Sequence, residues 1–158
     1  MLPRMLALEL RDDDAVRNGF RRLSARATDT GCVLDGILVQ RMRKGGFELL
    51  VTAFDDPLYG KMISVGAGGG LTEMMDDVVT ARAPVGEAFA ADMIDRLRCR
   101  DHARDTDGRL PTAPIARFVA RFSALAAGSP WRRFVFEINP VKWTRDGAVA
   151  VDGLILRE

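Results

Sequence analysis

Apolar and polar residues alternate along this chain with a period that switches between two and nearly four. Leu6, Leu8 and Leu10 recur at every second position, which predicts a strand over Met5 to Leu10. Asp12, Asp13 and Asp14 then supply an N-cap and an acidic first turn. Val16, Phe20, Leu23 and Ala27 follow at helical spacing, with arginines gathering toward the C-terminal end, so an amphipathic helix is expected. Further strands are predicted over Val33 to Met42, Phe47 to Phe54 and Lys61 to Val65, separated by Arg43-Lys44-Gly45-Gly46 and by Asp55 to Gly60. Joined by short turns, these three make an antiparallel meander. Helices are expected at about Leu71 to Asp77, Gly86 to Arg98 and Ala113 to Ala127, the last with Ile115, Phe118, Phe122 and Leu125 on one face. The segment from Asp105 to Pro111 reads as a flexible connector. The pattern predicts one α+β domain over residues 1–158, an antiparallel sheet with helices packed mainly on one face.

The last 25 residues place polar groups where a plain apolar hairpin would not. Phe136-Glu137-Ile138-Asn139-Pro140 runs into Val141-Lys142-Trp143, turns at Thr144-Arg145-Asp146-Gly147, and returns as Ala148-Val149-Ala150-Val151-Asp152-Gly153. With a loop of Thr144 to Gly147, Trp143 faces Ala148 and Asn139 falls opposite Asp152. An Asp-Gly two-residue turn would move Asn139 one diagonal step and leave both on one face, because the side-chain period is two. Directly opposed Cβ atoms lie roughly 4.5–5.5 Å apart. An amide oxygen and a carboxylate at that distance, with Glu137 on the same face, form a hard-oxygen cluster suited to Mg²⁺. In the plain alternative, Asn139 ends the strand before Pro140 and Asp152 marks an edge or bulge.

Composition adds mostly exclusions. The chain has 158 residues, 47% of them hydrophobic, enough for a core of ordinary domain size. Lys+Arg 23 against Asp+Glu 22 leaves a net charge of +1, so no global basic field points to nucleic acid. Cys32 and Cys99 lack Cys-x-x-Cys spacing and read as reduced thiols of a cytoplasmic protein. The single histidine, His102, lies in the charge-dense segment Arg98 to Asp105, read as a solvated loop with no partner for a zinc cluster. No apolar stretch approaches the roughly 18 residues of a membrane span. Gly66 to Gly70 hold four glycines between an apolar strand and an expected helix, so their backbone N–H groups can approach an anion. No Walker or Rossmann spacing accompanies them; a tight strand-to-helix turn explains them equally.

Several of these segments, taken in order, resemble one family. Glu137-Ile138-Asn139-Pro140, followed after a hairpin by Val149-Ala150-Val151-Asp152, resembles the end of the ATP-grasp domain of the NDP-forming acyl-CoA synthetases. That group contains ADP-forming acetyl-CoA synthetase and the succinyl-CoA synthetase β subunit. Upstream, Ile37 to Met42 resembles the hinge strand and Gly46-Phe47-Glu48 the Gly-x-Glu that follows it. Asp56-Pro57-Leu58-Tyr59-Gly60 resembles the Asp-Pro-x-Phe-Gly turn, and Val65 to Glu73 the glycine loop with its trailing Glu. The match runs in order from about Leu6 to Leu156.

The resemblance implies a C-terminal lobe of an ATP-grasp fold, with ATP or ADP and Mg²⁺ as cofactors. It carries Asn139 and Asp152 over as Mg²⁺ ligands and Glu137 as the acidic residue beside the phosphoryl group. Gln40, Arg41 and Met42 become the hinge facing adenine, Glu48 a carboxylate for the ribose hydroxyls, and Gly68, Gly69 and Gly70 a loop near the phosphates. An exposed strand Glu is the plain reading of Glu48. Two departures stand out. The family's hinge is usually Gln-Glu-Met, whereas Arg41 reverses that charge. Lysine occurs only at Lys44, Lys61 and Lys142, and the His-Lys-Ser/Thr-Asp-x-Gly-Gly segment expected before Leu6 is absent. The implied partners are therefore an ATP-grasp N-lobe and a CoA-binding domain or subunit, and the isolated chain is expected to bind nucleotide weakly and to be inactive. The expected parent activity interconverts a carboxylic acid and its CoA thioester. A non-catalytic ATP-grasp-like module that pairs with another subunit is the alternative. Nucleic acid and membrane are not expected partners.

Overall fold

A computed structural model describes residues 5–69 and 76–157. They fall into two compact units, Met1–Lys44 and Gly45–Glu158. In the first unit the regular element is α1 (Asp13–Asp29). The side chain of Asp12 caps it, accepting a hydrogen bond from Ala15 N at 2.7 Å. Asp14 pairs with Arg17 at 2.9 Å one turn on, and Arg26 sits in the last turn, so the charge gradient follows the helix dipole. The buried face carries Gly19 and Ala27. A Cβ on Gly19 would lie 3.2 Å from Leu10 Cδ1, so the helix rests closely on the segment before it.

Neither predicted strand of this unit forms among the described residues. Met5 to Leu10 and Val33 to Met42 carry no sheet hydrogen bonding, and Val33 and Leu38 are 93% and 84% exposed. Alternation of apolar residues favours extended backbone, but a strand also needs a neighbour to complete its ladder.

The second unit supplies such neighbours. Strands β1 (Phe47–Asp56), β2 (Gly60–Ala67) and β3 (Val78–Arg82) form the antiparallel meander, one strand later in the chain than predicted. The strand β3 was not expected. Of the helix predicted over Leu71 to Asp77, residues 71–75 lie outside the described ones, and Asp76 and Asp77 are not helical. Next come α2 (Glu87–Asp95), a 3-10 helix over Arg98–His102, and a two-residue hairpin of β4 (Arg104–Asp105) and β5 (Gly108–Arg109). They are followed by α3 (Thr112–Ala127), β6 (Phe134–Trp143), β7 (Ala148–Ala150) and β8 (Gly153–Arg157). The six-stranded sheet runs β3-β2-β1-β6-β7, with β8 also paired to β6.

Alternation within each strand sorts residues onto two faces. One face presents Leu49, Val51, Ala53, Ile63, Val65 and Ile138, all buried, to α2 and α3. From α2 come Met93 and Ile94, and from α3 come Ile115, Val119 and Phe122, whose ring meets Phe136 at 4.8 Å edge to face. Each fully buried aliphatic side chain contributes about 1.5–3 kcal/mol relative to exposure. Lys61 donates from Nζ to Ala127 O at 3.1 Å and to Ser129 O, satisfying carbonyls at the end of α3.

The charged stretch from Arg98 to Pro111 is more ordered than a solvated loop or connector. Cys99 and Leu110 are both 1% exposed, and Trp143 Nε1 donates to Pro111 O at 2.9 Å. Arg145 closes the small hairpin from outside, donating Nη2 to Asp105 Oδ1 at 2.7 Å. Buried Asp77 accepts from Cys99 N at 2.7 Å and Arg98 N at 3.0 Å, which pins the chain after the glycine loop to the 3-10 helix. Burial pushes its carboxyl upward, but the Cys99 and Arg98 N–H groups and the Arg98 guanidinium hold it below the usual carboxylate range. Burial, with the Asp77 carboxylate beside it, pushes the Cys99 thiol up to about 12. Both cysteines are free thiols. No helix among the described residues is long and apolar enough to cross a membrane.

Candidate functional site

The sheet face turned away from α2 and α3 gathers the polar residues. On β1 it carries Glu48 and Thr52, on β2 Ser64, on β3 Thr80, and on β6 Glu137, Asn139 and Lys142. Cross-strand register places Glu137 opposite Thr52, Thr52 opposite Ser64, and Ser64 opposite Thr80, a polar row across four strands. The hydroxyl members of this row were not anticipated. Their trace in the sequence is a single Thr or Ser within each of three apolar runs, Thr52, Ser64 and Thr80.

A bulge at Asn139-Pro140 organises the centre of this face. Leu49 pairs with Val141 and Val51 with Ile138, so Leu50 alone opposes Asn139 and Pro140. The extra residue lets Ile138 and Val141, three apart, both enter the core, and it places the proline, which has no N–H, where the β1 ladder is interrupted. Beyond the bulge, Lys142 returns to the face of Glu48, its cross-strand partner. The hairpin side keeps its count. Val141 pairs with Ala150 and Ile138 with Gly153, and Asn139 N donates to Asp152 O at 3.2 Å. Asn139 therefore lies opposite Asp152, as the four-residue loop requires, and the loop closes through Thr144 N to Gly147 O at 2.8 Å.

The glycine loop folds onto the same place. Gly68 N donates to Glu48 O at 2.9 Å, and Gly69 N donates to Asn139 Oδ1 at 3.1 Å. A Cβ on Gly68 would sit 2.4 Å from the Leu49 carbonyl carbon. One on Gly69, whose φ is +63°, would sit 2.0 Å from Glu48 Oε2. Glycine is demanded at Gly68 by the approach of Leu49 backbone and at Gly69 by backbone conformation, since the Glu48 carboxylate there is the movable end of a flexible side chain. The Glu48 carboxylate also meets Lys142 Nζ at 2.9 Å, and that ammonium donates to Gly45 O at 3.2 Å. Asp152, exposed, accepts from Gly153 N at 2.9 Å through Oδ1, while Glu137 is half-buried.

Structure thus brings together Glu48, Gly68, Gly69, Asn139 and, by register, Asp152 and Glu137. Gln40, Arg41 and Met42 belong to the first unit, on exposed backbone without strand structure, and Gly70 lies outside the described residues. Lys142 was not singled out by sequence. A cation on the strand opposite a Glu at matching register is its only signal.

For a magnesium ion, the donor chemistry fits in part. Asn139 Oδ1 has a second lone pair beyond the Gly69 bond, and Asp152 keeps Oδ2 beyond the Gly153 bond. Among the described residues no group of three or more His, Cys, Asp or Glu side chains converges. Two hard oxygens suit an ion that completes its shell with water and ligand phosphates, and not one held by protein alone.

This sheet is backed by helices on one face and carries the glycine loop, bonded to Asn139, on the other, and residues 4–156 match the model of an ATP-grasp domain. The chain belongs to that ATP-grasp family. Among its relatives is a trans-feruloyl-CoA synthase of an unknown prokaryotic organism, 31% identical over 96% of this chain and 22% of that protein. Another is the ADP-forming acetate–CoA ligase I of Archaeoglobus fulgidus, 34% identical over 75% of this chain and 18% of that protein. The β subunit of the corresponding Pyrococcus furiosus ligase is 27% identical over 94% of this chain and 66% of its own length. The chain therefore spans about a fifth of the first two relatives and just under two thirds of the third. The fold agrees with a Candidatus Korarchaeum cryptofilum dinucleotide-forming acetyl-coenzyme A synthetase, at a TM-score of 0.88 and 24% identity, covering 96% of this chain and 68% of that one. It agrees likewise with PH1788 from Pyrococcus horikoshii, at 0.86 and 23%, covering 98% and 67%.

Proposed function

We propose that this chain is the metal- and nucleotide-facing part of an NDP-forming acyl-CoA synthetase, an acid–thiol ligase that interconverts a carboxylic acid and its CoA thioester with ATP and ADP. The observation that carries this reading is the Gly69–Asn139 hydrogen bond with Asp152 directly across the hairpin. The bond orients a carboxamide oxygen on the polar face of the sheet, beside a carboxylate with an uncommitted oxygen. A relative's structure supports it: one Korarchaeum synthetase was solved with coenzyme A and Mg-AMPPCP, its phosphohistidine segment pointing towards the nucleotide-binding site.

In this reading Asn139 and Asp152 hold Mg²⁺, which supplies charge neutralisation for the phosphates. Glu137, two residues before Asn139 on the same face, sits beside the phosphoryl group and orients the group that receives it. Gly68 and Gly69 act through their backbone, Gly69 by aiming Asn139 and Gly68 by seating the loop against β1. Glu48 accepts from ribose hydroxyls while Lys142 neutralises it. Gln40, Arg41, Met42 and Gly70 complete the nucleotide contacts. Phosphoryl transfer rests largely on electrostatic clamping, and the three lysines of this chain supply little of it. The remaining clamp and the acyl chemistry come from an N-lobe and a CoA-binding domain or subunit, and the assembly works in the cytoplasm. Arg41 favours a second reading, a non-catalytic module, because it reverses the charge beside adenine.

Titration of the chain with Mn²⁺–ATP, followed by amide NMR, tests the reading. Selective broadening of Asn139, Asp152 and Gly153 at millimolar nucleotide, abolished by Asp152→Asn with the remaining spectrum intact, is expected. Broadening centred elsewhere, or none at these amides, would overturn it. A dissociation constant near 1 mM corresponds to about −4 kcal/mol.

A further inference from the structure

The strand β8 ends the sheet on the hairpin side, and nothing among the described residues pairs with its outer edge. Leu154, Ile155 and Leu156 are 55%, 42% and 57% exposed. Edges of this kind are normally blunted by lysine, proline or a bulge, and β8 has none of them. From the Asp56/Gly60 turn through β1 and β6, bonded and non-bonded pairs alternate. That phase puts Leu154 and Leu156 in bonded pairs with Glu137 and Val135. Gly153, Ile155 and Arg157 consequently turn their backbone groups outward. Gly153 N agrees, since it bonds to the neighbouring Asp152 carboxylate and not to β6.

We infer that β8 is a self-complementary dimerisation edge, pairing antiparallel with β8 of a second copy about a twofold axis at Ile155. Any axis through a residue aligns outward groups with outward groups, and the one at Ile155 engages all three outward residues of β8 at once, which gives the most hydrogen bonds. Ile155 then faces Ile155, and Gly153 faces Arg157, for about six interchain hydrogen bonds at most. The two guanidiniums meet glycines instead of each other, and Leu154 of each copy meets Leu156 of the other on the opposite face. Ile155 shares its face with its cross-strand neighbour Phe136, which lines an apolar groove of about 530 Å³ with Phe118, Phe122 and Leu125. The continuous apolar strip suits a second apolar strand, and a net charge of +1 opposes self-association little. The proposal does not depend on nucleotide binding.

Sedimentation of the full chain tests it. Dimer is expected near 100 µM and monomer near 1 µM, as suits a small interface. Ile155→Pro removes an outward N–H and leaves the β6 ladder intact, so it should abolish the dimer without altering circular dichroism. In a Cys32→Ser background, Ile155→Cys should form an interchain disulfide on mild oxidation, because facing Cα atoms at about 5.5 Å are within bridging distance. Monomer at every concentration, a dimer unaffected by Ile155→Pro in a folded variant, or no disulfide from Ile155→Cys would each overturn the inference.

Discussion

In the unit Gly45–Glu158 the backbone is tied into ladders on both sides of β1 and β6, whereas in Met1–Lys44 the described residues hold one capped helix flanked by extended, unladdered chain. Both contain alternating aliphatic stretches. In one, Leu49, Val51 and Ala53 are wholly buried; in the other, Leu38 and Val39 are 84% and 63% exposed. The contrast locates the stability of this chain in the sheet, because an aliphatic side chain contributes only when its area leaves water. The proposed metal pair, Asn139 and Asp152, lies in the same unit, where packing can hold side chains in place.

Truncating one aliphatic residue in each unit should give the largest difference between them. Leu49→Ala should cost about 2–5 kcal/mol, the range for a buried leucine. Leu38→Ala should change stability by about 0.5 kcal/mol or less. Equal losses in denaturant unfolding would show that the first unit carries hidden burial. Next in size is Gly69→Ala, expected to cost about 1–3 kcal/mol because it combines a positive φ with the approach of Glu48. Gly31→Ala, also at positive φ but in open space, should cost less; if both cost the same, conformation alone explains the loop glycine.

Asp77 makes the second unit sensitive to acid. Its folded carboxyl titrates below the ordinary 3.8, so its contribution is fully present above that value and lost as pH falls through the lower folded value. Asp77→Asn should cost about 1–3 kcal/mol near neutrality and remove part of the acid sensitivity below about pH 4. An unchanged acid limb would mean that other carboxylates set it. The smallest effect expected is Asp12→Ala, at about 1 kcal/mol of α1 stability, read by hydrogen exchange of the first helical turn. Protection in the second unit should not change. If it falls together with α1, the two units unfold as one.

How much could be read without the structure differs from element to element. The C-terminal hairpin was legible almost residue by residue, because its loop, register and facing pairs follow from local turn chemistry and a period of two. Asn139 opposite Asp152 came from counting alone, and α3 was recovered to within one residue at its start because its apolar period is long and uninterrupted. The bulge was not legible, since Pro140 signals an irregularity without saying which neighbour absorbs it. The partners of Lys61 and Lys142 were equally hidden, lying 66 or more residues away for one and on a different strand for the other.

Sequence by itself determined the α+β class, the N-cap of α1, the hairpin and the placing of glycines where backbone would come close, all properties set within a few residues. Tertiary structure decided which extended segments became strands, making β3 a ladder member and leaving Val33 to Met42 outside one. It also decided that Gly69 aims Asn139 and that Glu48 lies against Lys142. The reason is that strand pairing and site geometry depend on hydrogen-bond partners distant in sequence, and a residue pattern records which face is apolar but not which neighbour will cover it.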